Sequence, residues 1–248
     1  MARERIDKQL VSLTDPASME AEQYQALRLK LEHLQRDRNV RVIAITSPGP
    51  RDGKTVTAIN LAGALAEGSD ARVLLIEADL RRPAISRYLG LPDASSPGLA
   101  ELVLDPQRTL QDTIQHHDHV RFDVIPAGAT DIPVHQLLRL PRLNSLLKEM
   151  RERYDYVILD TPPIGAVSDS ALLARWLDGL ILVVAAHKTA RKSLEKALNM
   201  LDGATVLGIV FNRDDGARGG YRGQDYRRYF PRARRRPSQS TPIFTAHQ

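Results

Sequence analysis

An α/β fold, doubly wound around a mostly parallel sheet, is predicted by three features of the sequence. Six short apolar, β-branched runs recur along the chain: VRVIAIT (40–46), RVLLIEAD (72–79), RFDVIPAG (121–128), YDYVILD (154–160), GLILVVAA (179–186) and TVLGIVFN (205–212). Helical stretches separate them, and strands alternating with helices imply a parallel sheet covered on both faces. The first run leads directly into a Pro/Gly-rich loop, TSPGPRDGKT (46–55), which opens a helix. Ligands of such sheets sit at the carboxyl ends of the strands.

Each element follows from local pattern. Residues 1–14 show no clear period and are expected to be loose. Asp15-Pro16 reads as a helix cap followed by a first-turn proline. Tyr24, Leu27, Leu31 and Leu34 then fall at helical spacing, which predicts an amphipathic helix over 16–36. Strand 40–46 ends in the loop, and a helix runs from Lys54 to about Glu67, stopped by Gly68. Of the later helices, 141–153 and 190–202 are the clearest. After Asn212 the sequence turns Gly-, Arg- and Pro-rich without an apolar period, so the tail is expected to be disordered. The chain thus divides into an N-terminal segment and helix (1–38), a central domain (39–214) and a basic tail (215–248). No internal repeat is present.

Composition narrows the class. An apolar fraction of 42% and a charged fraction of 26% are ordinary for a globular protein of 248 residues. With no cysteine, a disulfide framework and a thiolate metal site are both excluded. No apolar run approaches the roughly 18 residues that span a bilayer, and MARERIDKQL lacks a signal-peptide core. The expected location is therefore cytoplasmic. The net charge of +5 is unevenly spread. Residues 217–248 hold eight arginines against one acid (Asp225), a local +7, and the other 216 residues carry −2.

The loop supplies the first chemistry. Phosphate-binding loops end in G-K-[ST]: backbone N–H groups cradle phosphates, the Lys reaches the outer ones and the hydroxyl holds Mg²⁺. Gly53, Lys54 and Thr55 fit that ending, and the phosphates would meet the N–H groups of the helix that begins there. Asp160 ends the strand YVILD, where a carboxylate holding Mg²⁺ is expected, and Glu77 and Asp79 end VLLIEAD. Three acids at the ends of two buried strands, beside a phosphate loop, point to a metal–nucleotide site.

These motifs together resemble the bacterial tyrosine kinases of capsular and exopolysaccharide biosynthesis, the soluble cytoplasmic type. TSPGPRDGKT resembles that family's loop, T-S-x-x-P-G-E-G-K-[ST]: Pro50, Gly53, Lys54 and Thr55 match, Asp52 stands for Glu and Arg51 replaces Gly. VLLIEADLRRP is similar to V-L-L-I-D-A-D-L-R-R-P, with Glu77 in place of the first Asp. YDYVILDTPPIGAVSDS, PAG (126–128) and VLGIVFN (206–212) also match, and the resemblance covers roughly residues 20–230.

The resemblance implies a P-loop NTPase of the deviant-Walker, partitioning-ATPase-like type that uses ATP and Mg²⁺ to phosphorylate protein tyrosines. Pro50, Arg51, Asp52, Gly53, Lys54, Thr55 and Val56 would form the nucleotide loop, and Asn212 would contact the adenine. Lys54 would stabilise the β- and γ-phosphates, while Thr55, Asp79 and Asp160 would hold the metal. Glu77 would be the base for the incoming hydroxyl. Its longer arm invites misplacement, so Asp at this position is expected to serve at least as well. Arg51 is the other departure, because a side chain is strained wherever the loop needs φ > 0.

Tyr221, Tyr226 and Tyr229 in the tail resemble the family's phosphoacceptor cluster; a basic tail for acidic lipid or nucleic acid is the plainer account. Glu22, Gln25 and Arg28 occupy the family's self-association motif E-x-x-R-x-x-R with one arginine missing, and an ordinary packing helix fits as well. Arg81 and Arg82 suit either a substrate grip or a solvated helix start. His116, His117 and His119 lie in a polar stretch and read as a solvated loop rather than a metal site. The implied partners are a membrane-embedded activator of the polysaccharide co-polymerase kind, which would recruit the kinase to the inner face of the plasma membrane, a cognate tyrosine phosphatase, and further copies joined through the N-terminal helix. No specific nucleic acid is implied. The rival functions are a partitioning or septum-positioning ATPase that binds DNA or membrane, and an ATP-binding regulator without phosphoryl transfer.

Overall fold

The computed structural model describes residues 6–68, 70–91, 97–165, 173–201 and 203–214. In chain order the elements are α1 (Val11–Thr14), α2 (Met19–Arg38), β1 (Val42–Thr46), α3 (Lys54–Gly68), β2 (Val73–Glu77), α4 (Ile85–Leu89), α5 (Leu99–Leu104), β3 (Asp123–Ile125), α6 (Val134–Leu137), α7 (Pro141–Arg153), β4 (Tyr156–Asp160), β5 (Gly179–Ala185), α8 (Arg191–Met200) and β6 (Val206–Asn212). All six predicted strands form one parallel sheet, ordered β3-β2-β4-β1-β5-β6. Its central strands β1, β2, β4 and β5 are buried along their whole length, which is why they read as unbroken apolar runs.

Alternate residues feed opposite faces. Ile43, Ile45, Leu75, Ile158 and Ile181 pack under α1, α2 and α3. Val42, Leu74, Ile76, Val157 and Leu159 pack under α5, α6 and α7, and Leu180, Leu182 and Val184 meet α8. The helix that follows the phosphate loop is itself core: Thr55 and Thr57 to Ala66 of α3 are buried, sandwiched between the sheet and α2. Each fully buried Leu or Ile there contributes roughly 1.5–3 kcal/mol. The loop is therefore anchored on one of the best-packed elements of the molecule.

Two expectations at the N-terminus are corrected. Residues 6–14 are not loose: Leu10 is fully buried, and Ser12 donates its N–H to Asn60 Oδ1 on α3 (2.8 Å). Asn60 Nδ2 answers with a bond to the Gln9 carbonyl (3.0 Å), and Gly63 leaves the space that Leu13 fills. The cap of α2 is Ser18, whose Oγ accepts from Ala21 N, while Asp15 closes α1 instead. Among the described residues, no helix is long and apolar enough to cross a membrane.

Candidate active site

The carboxyl ends of β1, β2 and β4 bring together the residues that the motifs singled out. The adjacent strands place Glu77 directly opposite Asp160, and Ile45 opposite Asp160 on the other side. Lys54 Nζ lies 2.9 Å from Asp79 Oδ2 and 3.3 Å from Asp160 Oδ1. Thr55 Oγ1 donates to Asp160 Oδ2 at 2.6 Å. Asp160 is fully buried, and Glu77 and Asp79 are 1% and 3% exposed.

Glu77, the last residue of β2, reaches toward the start of α4. Its Oε2 accepts the backbone N–H groups of Ala84 (2.6 Å) and Ile85 (2.7 Å) at the start of α4, and its Oε1 is buried without a hydrogen-bond partner among the described residues. Asp79 in turn accepts the Arg82 N–H through Oδ1 (3.2 Å). Arg81 and Arg82 are exposed.

On the other side of the loop, contacts run to backbone. Asp52 Oδ2 accepts the Gly49 N–H (3.0 Å), and Asn212 Nδ2 donates to the Asp52 carbonyl (2.9 Å). Lys188, just past β5, donates to the carbonyls of Pro50 (3.3 Å) and Arg51 (3.1 Å) and lies 3.6 Å from Asp52 Oδ1. Arg51 adopts φ = 64° and Gly53 φ = 105°, so the loop does require left-handed backbone at the arginine. At Gly53 the φ of 105° strains any side chain, and a Cβ there would also displace the Asn212 amide, 1.8 Å away.

Burial and charge set the protonation pattern. Burial disfavours the Lys54 ammonium, but Asp160 and Asp79 outweigh it and its pKa is raised. Burial first, then the neighbouring Asp160, pushes the Glu77 carboxyl well above the ordinary range. Asp160 is also raised by burial, against the pull of Lys54. Burial thus favours the neutral forms of Glu77 and Asp160 until a cation arrives, and the carboxyl oxygens gathered around Lys54 suit a divalent ion. The donors are hard oxygens, as Mg²⁺ prefers. They do not form a ready-made cage of three side chains among the described residues, in keeping with an ion that takes one or two carboxylates and completes its shell with phosphates and water.

A family model described as "AAA domain" matches residues 40–206, which confirms the nucleotide-binding fold. The chain is 33% identical over 210 residues to the tyrosine-protein kinase YwqD of Bacillus subtilis (strain 168), covering 84% of this chain and 87% of that one. The solved kinase domain of Escherichia coli tyrosine kinase ETK superposes with a TM-score of 0.76 at 31% identity, covering 86% and 84%. This chain belongs to the bacterial tyrosine kinases. The cell division ATPase MinD of Pyrococcus furiosus shares the fold at lower similarity, with a TM-score of 0.57 and 25% identity over 71% and 73%. The kinase relatives, matched over a greater share of the chain and at higher similarity, favour the kinase over the partitioning ATPase.

Within this tyrosine kinase the fold gathers Lys54, Thr55, Asp79, Asp160 and Glu77 at one end of the sheet, and places Asn212 against Asp52 and Gly53 of the loop. Lys188 was missed altogether. A single lysine after a strand carries no signal, because its contacts lie 136 to 138 positions away at Asp52, Arg51 and Pro50. His116 pairs with Asp123 (2.7 Å), and the rings of His117 and His119 lie 5.4 Å apart. Gln25 and Arg28 of the self-association motif bond to each other (2.8 Å), and Arg28 also reaches Glu32 (2.7 Å). Tyr221, Tyr226 and Tyr229 lie outside the described residues.

Proposed function

We propose that this kinase transfers the γ-phosphoryl group of ATP to Tyr221, Tyr226 and Tyr229 of another copy of itself, and that this regulates capsular or exopolysaccharide synthesis and export. The observation that carries the reading is the Lys54 ammonium, held between Asp79 and Asp160 where the loop opens into the N-terminus of α3. A nucleotide's phosphates would draw Lys54 toward the β- and γ-oxygens, where its charge counts most in the transition state. Pro50 to Val56 would supply the backbone cradle, and Asn212 would contact the adenine. Thr55, Asp79 and Asp160 would hold Mg²⁺. Bound there, the ion neutralises charge that develops on the phosphoryl oxygens.

In the transfer the tyrosine oxygen bonds to the γ-phosphorus, the bond to the ADP oxygen breaks, and the phenolic proton passes to water. The buried acid cluster attracts a cationic substrate, which supports the +7 tail as the phosphoacceptor. The same charge favours a tail delivered from a neighbouring copy, with α2 as the contact between subunits. A membrane-embedded activator would bring the kinase to the inner face of the plasma membrane, and a cognate phosphatase would reset it.

One experiment tests loop and direction together. The Tyr221→Phe/Tyr226→Phe/Tyr229→Phe variant serves as kinase and the Lys54→Ala variant as acceptor, mixed with ATP and Mg²⁺. Alone, Lys54→Ala is expected to lose on the order of 10²–10³ in rate, as when one charge-stabilising donor is removed. Mixed, its tail should gain phosphate. Undiminished phosphotyrosine on Lys54→Ala alone would sink the loop assignment, and none in the mixture would sink transfer between copies.

A further inference from the structure

We propose that Glu77 is a positioning residue, which caps α4 and thereby fixes the turn that carries Asp79, and that it is not the acceptor of the tyrosine proton. This rests on the reading of the acid cluster as the phosphoryl-transfer site and assigns one of its members a different task.

The first N–H groups of a helix lack intrahelical partners and need a cap. At α4 the N-cap position is Ala84, which has no side chain to offer. Glu77 Oε2 supplies the missing acceptor from seven and eight residues away, at 2.6 Å to Ala84 N and 2.7 Å to Ile85 N. Both bonds are short, and they satisfy two amides that would otherwise lack an acceptor. Between cap and strand lies the turn Asp79-Leu80-Arg81-Arg82-Pro83. Its near end is closed by Arg82 N–H on the Asp79 carbonyl and on Asp79 Oδ1, both 3.2 Å, and its far end by Glu77. Asp79 Oδ2 projects from this turn onto Lys54 at 2.9 Å. A turn released at Ala84 would let Asp79 drift, and displacements of about 1 Å near a reacting centre lower rates on the order of a hundredfold.

The same geometry argues against proton abstraction. A general base must come within about 2.6–3.2 Å of the hydroxyl. Oε2 is already occupied by two N–H groups, and Oε1 is shut off from solvent in a side chain whose residue is 1% exposed. Arm length decides the residue type. Aspartate would withdraw the oxygens by about 1.5 Å, one C–C bond, and could not keep both bonds. The expectation that Asp would serve at least as well is therefore reversed.

Amide hydrogen exchange at Ala84 and Ile85, in the metal-free and nucleotide-free full chain, reads the cap without activity. Glu77→Gln keeps an acceptor oxygen, and its two amides should stay protected. In Glu77→Asp and Glu77→Ala they should exchange faster by on the order of tenfold to a hundredfold, the range for leaving a buried donor unsatisfied. In the kinase assay Glu77→Gln should lower kcat by no more than about tenfold, against the 10²–10⁴ expected for a lost general base. Its pH–rate profile should keep its acidic limb, and Glu77→Asp should be the more damaged variant. The proposal is overturned if Glu77→Gln loses a hundredfold or more with its amides still protected, or if Glu77→Asp protects them as the parent does. Should the parent make no phosphotyrosine at all, the phosphoryl-transfer reading fails while the exchange data still decide the cap.

Discussion

On the β2 and β4 side of the phosphate loop, Lys54 meets Asp79 and Asp160 through side chains that are nearly or fully buried. On the β5 and β6 side, Lys188 and Asn212 reach the loop's carbonyls from its rim, and Lys188 is 46% exposed. The first side concentrates like charge where water is excluded, an arrangement that strains the fold and is useful only once phosphates and a cation arrive. The second spreads weak contacts over backbone and shapes the loop before any ligand binds. Charge on the buried side should therefore govern rate, and contacts on the exposed side should govern affinity and stability.

The largest expected effect breaks the buried side. Asp160→Asn keeps the shape and an acceptor for Thr55 but removes the charge. Loss of kcat on the order of 10²–10³ is expected, the scale for one preorganised electrostatic group. The thermal midpoint should hold or rise, since burial raises the Asp160 pKa and the neutral isostere relieves a desolvated charge. A clear fall in midpoint would show that the ion pair with Lys54 holds the fold together, and the contrast between the two sides would collapse.

That division also explains what the sequence made legible. The strands were readable because β1, β2, β4 and β5 are buried on both faces and so appear as continuous apolar runs. Lys54, Thr55, Asp79 and Asp160 were readable because they stand at the start of α3 and just at or beyond the ends of buried strands, where polar residue types interrupt apolar runs. Illegible were contacts whose logic is purely spatial. Leu10 and Ser12 dock on α3 through Asn60, 48 residues from Ser12, and so few apolar residues show no period. Lys188 finds loop carbonyls that any cation of similar reach could find. The Glu77 cap needs α4 to begin at Ala84, a boundary that no local pattern marks.

A smaller effect probes the exposed side. Lys188→Ala removes two bonds to loop carbonyls and the Asp52 ion pair. The loop must then be ordered at the expense of binding. Nucleotide affinity, measured by titration calorimetry, should fall about tenfold, or roughly 1.4 kcal/mol. At saturating nucleotide, kcat should change by less than about threefold, the signature of lost uniform binding. A kcat loss approaching that of Asp160→Asn would place Lys188 among the groups that act in the transition state.

The smallest expected effect comes from Arg51, where the two sides meet in one residue. Its φ of 64° costs a non-glycine residue roughly 1–2 kcal/mol. Glycine removes that cost but brings back some 0.5–1 kcal/mol of extra chain entropy lost on folding. The balance for Arg51→Gly is a gain of about 0.5–1 kcal/mol. For a chain of this size 1 kcal/mol moves the midpoint by about 2–4 °C, so a rise of roughly 1–4 °C is expected by calorimetry. Both Lys188 contacts to the loop run to backbone oxygens, and glycine would leave them in place. Nucleotide affinity should therefore hold or improve as the rise in midpoint appears. A fall in midpoint would mean that the Arg51 side chain contributes more than its backbone strain removes, and the exposed side of the loop would then owe its shape to a charge, as the buried side does.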